Sequence, residues 1–114
     1  MNRKKIIGLN YKGKEINLEV KKCSFFGRFR GLMFCKRDNA EALLFKFTKP
    51  SKIFLHSFFV FFPFVVLWLD NKNNVLEIRK CKSFEFLIKT NKKFSKIVEI
   101  PFNKKYEEDL KIFL

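Results

Sequence analysis

One histidine, three cysteines and five arginines are the side chains in this 114-residue sequence around which chemistry could be built. His56 stands beside Ser57, between Leu55 and Phe58, in a strongly apolar stretch. An imidazole there can act as a general base, hold an anionic ligand or ligate a metal. Its ordinary structural use is to donate one ring N–H to a backbone carbonyl. Ser57 is not expected to be a nucleophile activated by His56, because successive side chains on a strand point to opposite faces. Arg28 and Arg30 stand out because lysine outnumbers arginine 20 to 5. On a helix, two residues apart, they diverge by roughly 200° and do not close one clamp. One of them can pair with Glu41 or Asp70 while the other meets a ligand.

The cysteines argue against metal chemistry. Cys23, Cys35 and Cys81 form no CxxC pair, and their spacings of 12 and 46 residues match no zinc ribbon or finger. With a lone histidine, four ligands would have to converge from distant segments. We expect no metal and no cofactor, and read the thiols as reduced, which suits a cytoplasmic protein. No secretory pattern follows the basic start Met1-Asn2-Arg3-Lys4-Lys5, since Asn10, Tyr11 and Lys12 arrive before any long apolar run.

Charge is abundant but uneven. The chain carries 25 basic and 11 acidic residues, a net +14. Residues 1–39 hold +8 of this and residues 71–105 hold +7, whereas 40–70 hold +1 and 106–114 hold −2. Two basic flanks therefore bracket a nearly neutral centre. Such a surface attracts polyanions, and nucleic acid is one candidate partner. Lysine without interleaved exposed aromatics is, however, also what a solvated shell looks like. The neutral centre, Phe58 to Leu69, has no polar side chain, but its 12 residues fall short of the roughly 20 that a spanning helix requires. Pro63 divides it, and Phe, Val, Leu and Trp favour strands. No transmembrane span is expected.

With 47% hydrophobic residues and 17 phenylalanines, the chain has material for one real core. At this length folding removes about two-thirds of the unfolded surface from water. Ile16, Leu18 and Val20 alternate with Asn17 and Glu19, so 5–11 and 14–21 read as a hairpin turning at Lys12-Gly13. Phe25, Phe26, Phe29, Leu32 and Met33 lie on one helical face, and Ser24 is a suitable N-cap, which predicts a short helix over 25–35. Strands are expected at 42–47, 53–61, 64–69, 75–79, 84–89 and 96–100. The Asp70–Asn74 turn joins two of them into a meander. Pro101 cannot donate to a ladder and closes the last strand. The tail, 101–114, is open between a helical turn and a further strand. The expected fold is mainly β: a compact antiparallel barrel or sandwich-like single domain spanning 1–114, with one or two short helices.

Several short motifs carry a resemblance. Arg28-x-Arg30-Gly31-Leu32-Met33 is followed by Leu43-Leu44-Phe45-x-Phe47, then by Leu55-His56-Ser57-Phe58-Phe59-x-x-Phe62-Pro63 and Leu69-Asp70. In order and spacing, from Arg28 to about Ile100, these are similar to the signature of the domain-of-unknown-function 192 family (uncharacterised protein family 0127). The His-Ser-Phe-Phe version resembles the archaeal branch. The resemblance implies a compact β domain with a short helix at Gly31-Leu32-Met33, and no established activity. The chain also departs from the pattern. Phe34-Cys35-Lys36-Arg37 stands where relatives commonly place Arg after that motif, Val65 where they place Asp, and Phe61 where many archaeal members place a basic residue.

The functional expectation is therefore a non-enzymatic module that binds a ligand or partner through a surface near His56 and the Arg28–Met33 helix. Arg28, Arg30, His56 and Ser57 are its candidate binding residues, and an anionic ligand suits them. The alternative is non-specific nucleic-acid binding through the Lys-rich flanks 1–39 and 71–105, which requires those lysines to share a face. A third reading is a small enzyme with His56 as general base. Val65 is expected to be buried in an apolar shell, since an unpaired buried acid is costly.

Overall fold

Alternation decides the first two strands. In the computed structural model, which describes residues 3–23, 32, 35–51, 60–85 and 87–114, β1 (Arg3–Tyr11) and β2 (Lys14–Lys22) form the expected antiparallel hairpin. Ile16, Leu18 and Val20 are buried while Asn17 and Glu19 face water. Lys12 and Gly13 turn the chain with φ of 50° and 77°, the left-handed pair whose twist suits a two-residue hairpin loop.

The remaining strands are β3 (Leu43–Ser51), β4 (Phe64–Leu69), β5 (Val75–Cys81) and β6 (Phe94–Pro101). The sheet order is β1-β2-β3-β6-β4-β5. Pairing is antiparallel except for a short parallel seam, where Lys21 and Lys22 meet Leu43 and Leu44. The last strand of the sequence thus lies at the centre, paired with β3 and β4. The sheet curls into a half-barrel. Its edges are linked where the Asn10 amide donates to the Asn73 carbonyl at 2.9 Å and Asn10 bridges Asn74. The Asp70–Asn74 turn is held by its own side chain, since Asp70 Oδ1 accepts from the amides of Lys72 and Asn74, both at 2.9 Å.

Two apolar layers result. Inside the curl, Leu9, Leu18, Leu44, Val65, Leu67 and Val98 pack together, and Val65 has no exposed surface. On the convex outer face, Phe45, Phe64, Val66, Trp68, Ile97 and Cys81 form a second layer. The tail resolves as a short helix, α1 (Glu107–Phe113), which closes one end of the inner layer with Leu110 and Phe113. Tyr106, just before it, is buried, and its hydroxyl accepts from the Ala42 amide at 2.8 Å and donates to the Glu19 carbonyl at 3.0 Å. Tyr106→Phe leaves both backbone groups without that partner. We expect it to lower stability by about 1–3 kcal/mol in urea unfolding; an unchanged midpoint would mean the hydroxyl holds nothing together.

The structure corrects one expected strand. The described residues of 84–89 form none: Phe84 takes φ of 59°, and Glu85 accepts from Arg79 Nη2 and from the Lys82 amide, each at 2.6 Å. Those bonds fold the segment back as a loop, whatever the spacing of its apolar residues. Of 53–61, the last two residues, Val60 and Phe61, lie outside any strand, and the rest lies outside the described residues. The expected helix over 25–35 also falls outside them, apart from Leu32 and Cys35. β3 and β6 run longer than expected, and Pro101 ends β6 as foreseen.

Candidate functional site

Arg28, Arg30, His56 and Ser57 lie outside the described residues, so the structure brings none of them to a stated position. What it describes is the surface to which their segments attach. Cys23 and Cys35 flank the first segment and Leu32 lies within it; Val60 and Phe62 follow the second. All five pack on the outer apolar layer. The acids expected as partners for an arginine make these contacts among the described residues. Glu41 lies 3.4 Å from the Lys4 ammonium, and Asp70 holds its own turn.

The polar group at the centre of that face is Glu99, which the sequence reading passed over. Register places it in one cross-strand row with Leu43 on β3, Val66 on β4 and Arg79 on β5. Because β6 is paired on both sides and packed over, Glu99 is only 7% exposed. It makes no hydrogen bond or ion pair among the described residues. Burial alone pushes its carboxyl up to about 7, since loss of hydration disfavours the charged form. Arg79 is occupied by Glu85 at 2.6 Å. The diagonal neighbour of Glu99 across β4 and β6 is Trp68, whose buried indole N–H also lacks a partner among the described residues. A largely buried carboxyl and a buried indole N–H, neither with a hydrogen-bond partner among the described residues, therefore share this face. Native interiors rarely leave such groups unmatched.

The thiols nearby are not reactive centres. Burial, with Glu99 adding to it, pushes Cys23 up to about 11, and burial pushes Cys81 up to about 12. Both stay protonated at neutral pH, the reverse of a nucleophilic or metal-binding thiolate. Among the described residues no group of histidine, cysteine and acidic side chains is placed to hold a metal ion, and no helix is long and apolar enough to cross a membrane.

A second polar feature lies on the concave side. Along β1, β2, β3 and β6 the inward positions are apolar until Lys5, Lys22, Lys46 and Lys96, which continue the rows of Ile7, Val20, Leu44 and Val98. On β3 and β6 these lysines sit at the end away from α1. Partial burial, then the charges of Lys5, Lys22 and Lys96, hold the Lys46 ammonium below the usual lysine range. Burial and Lys5 do the same to Lys96, with Asp70 pulling the other way. Beside them is a cavity of about 380 Å³, lined by Lys46, Phe47, Asp70, Asn71, Lys93, Ser95 and Lys96. Four strands were needed to assemble this rim. In the sequence its members are isolated lysines, and only their parity with core residues marks them.

Comparison with known proteins agrees with the fold. The DUF192 family model, described as "Uncharacterized ACR", matches residues 7–111. Among solved structures, the chain is similar to a Sinorhizobium meliloti protein provisionally named a transcription regulator, with 17% identity and a TM-score of 0.73 over 89% of this chain and 81% of that one. It is also similar to a Novosphingobium aromaticivorans protein of unknown function, with 12% identity and a TM-score of 0.72 over 92% and 77% of the two chains. No curated protein matches. At these identities the two structures speak to the fold alone.

Proposed function

The chain belongs to the DUF192 family, whose description assigns no activity, and we propose that it is a binding module whose ligand site is the outer face centred on Glu99. The observation that carries this reading is a carboxyl only 7% exposed and without a partner among the described residues, at the face where both signature segments attach. A strongly perturbed, desolvated acid is a frequent mark of a binding site. The ligand suited to it carries an amine or another hydrogen-bond donor for Glu99. Arg28, Arg30, His56 and Ser57, on the attached segments, are the groups to hold an anionic end. A small zwitterion, such as an amino acid, combines both features.

A ligand-detected NMR screen of amino acids and small amines tests this, with Glu99→Gln and His56→Ala as variants. We expect binding that strengthens as pH rises through about 7, where Glu99 ionises, and that both variants lose. No binder, or binding indifferent to both substitutions, would overturn the reading.

The nucleic-acid alternative asks the basic flanks to share one surface. They do so in part: Lys5 and Lys22 of the first flank meet Lys96 of the second. Lys12 and Lys14, however, flank the hairpin turn, next to Tyr11, which contacts Phe113 of α1 at 5.4 Å. Lys105 pairs with Glu19 at 2.6 Å. The flanks are thus split between the two ends of the half-barrel, which favours a compact ligand over an extended strand.

A further inference from the structure

We propose that the rim formed by Lys5, Lys22, Lys46 and Lys96 binds a small polyphosphate, of the inorganic triphosphate or nucleoside triphosphate class. This site is independent of Glu99, because its members project to the concave side and Glu99 to the convex one.

The argument starts from position rather than from abundance. A lysine-rich composition scatters ammonium groups over outward positions, where water surrounds each of them. Here four strands each place a lysine in the inward row, so that Lys5, Lys22 and Lys46, though exposed, gather with the half-buried Lys96 at one end of the sheet. Convergence of like charges opposes folding, and among the described residues no carboxylate forms an ion pair with any of the four. Asp70, the acid beside them, already accepts three hydrogen bonds from Lys72 and Asn74. Partial burial first, and then the neighbouring lysine charges, depress Lys46 and Lys96. Lys96 bonds Asn73 Oδ1 and reaches the Asn71 carbonyl at 3.5 Å, which fixes one donor in place.

Shape selects the size of the anion. The adjoining cavity of about 380 Å³ falls within the usual range for small-ligand sites, about 300–1,000 Å³. It also brings Lys93 and the Ser95 hydroxyl to the same space. Lys46, Lys93 and Lys96 line this cavity, with Lys5 and Lys22 near Lys46 beside it, and such a group matches several phosphates on one small molecule, whereas a single phosphate leaves most of them unmatched. Lysine serves here as a point charge, which suits phosphate without base recognition.

Calorimetric titration in a phosphate-free buffer of low ionic strength tests the proposal, using sodium tripolyphosphate, ATP, orthophosphate and a twenty-nucleotide oligothymidylate as probes. We expect one saturable site for tripolyphosphate, weakened at least tenfold by Lys46→Met and by Lys96→Met, and unchanged by Lys12→Met in the hairpin turn. ATP binding tighter than tripolyphosphate would support a nucleoside triphosphate, and equal affinity would support the inorganic anion. Lys46→Met removes a repelled charge and is expected to melt no lower than wild type without ligand, which separates lost binding from lost folding; Lys96→Met also loses the bond to Asn73, so its melting temperature is read beside its affinity. The proposal is overturned if tripolyphosphate does not saturate, if Lys12→Met loses as much affinity, or if orthophosphate binds equally well. Tighter binding of the oligothymidylate, with Lys12→Met weakening it, would assign the surface to nucleic acid instead.

Discussion

Val65→Asp is expected to cost about 3–5 kcal/mol, a large share of the roughly 5–15 kcal/mol by which small domains are stable. Val65 has no exposed surface and belongs to the inner layer with Leu67, Leu69, Val98 and Ile100. An aspartate there is either ionised without a counter-charge or neutral without a hydrogen-bond partner, and each is a recognised route to large destabilisation. Arg37 does not come to its aid, because its Nε donates to the Phe102 carbonyl at 2.5 Å, on the side of the helix-closed end. Val65→Thr, which keeps the shape, separates polarity from packing and should fall between the two. Urea unfolding followed by circular dichroism measures all three proteins. If Val65→Asp melts with wild type and acquires a new pH dependence, a polar partner reaches position 65 and the family's acidic site survives in this chain.

The second large effect belongs to Glu99 and depends on pH. Burial pushes its carboxyl in the folded state up to about 7 from the ordinary 4.5. Between those values the native state retains a proton that the unfolded state has released. Stability is therefore greatest below the unfolded value and falls as pH rises through about 7, the sense opposite to a salt-bridged acid. The displacement corresponds to a loss of about 3 kcal/mol between acid and mildly alkaline solution. Lys21 and Arg79 occupy the same cross-strand row, and among the described residues Glu77, Glu85, Cys23, Cys35 and Cys81 are further titratable groups around this face. Glu99→Gln keeps the shape and removes the charge. It should match wild type near pH 4.5, exceed it by about that margin at pH 8.5, and lose the ligand response described above. A wild-type stability curve that is flat over this range, or identical in Glu99→Gln, would place Glu99 in water rather than in the sheet. A variant more stable and less able to bind is the signature of a group kept for function against the interest of folding.

The β1–β2 hairpin and the β4–β5 meander were legible because their information is local. Period-two alternation marks a strand with one buried face, and Lys12-Gly13 and Asp70–Asn74 are short segments whose residues accept the turn conformations. Burial of Val65 was legible for a related reason, since it lies in an unbroken apolar run flanked by strand formers. The same local logic failed at 84–89. There Phe84, Phe86 and Ile88 alternate, but Glu85 accepts from Arg79 and from the Lys82 amide and Phe84 takes a positive φ, so the described segment pairs only at a single bridge, Ile88.

Composition and pattern by themselves determined a mainly β chain with one apolar centre, reduced thiols and an excess of positive charge. Only the tertiary structure decided where the polar groups went. Glu99 reads along the chain as the solvent-facing member of Ile97-Val98-Glu99-Ile100. It is buried because β6, the last strand in sequence, inserts between β3 and β4 at the centre of the sheet. Lys5, Lys22, Lys46 and Lys96 read as four unrelated lysines, and they meet because a curled sheet brings the ends of four inward rows to one rim. Both outcomes rest on pairings between residues distant in sequence. Such pairings are set by which apolar rows can cover one another, and no short window of sequence contains that information.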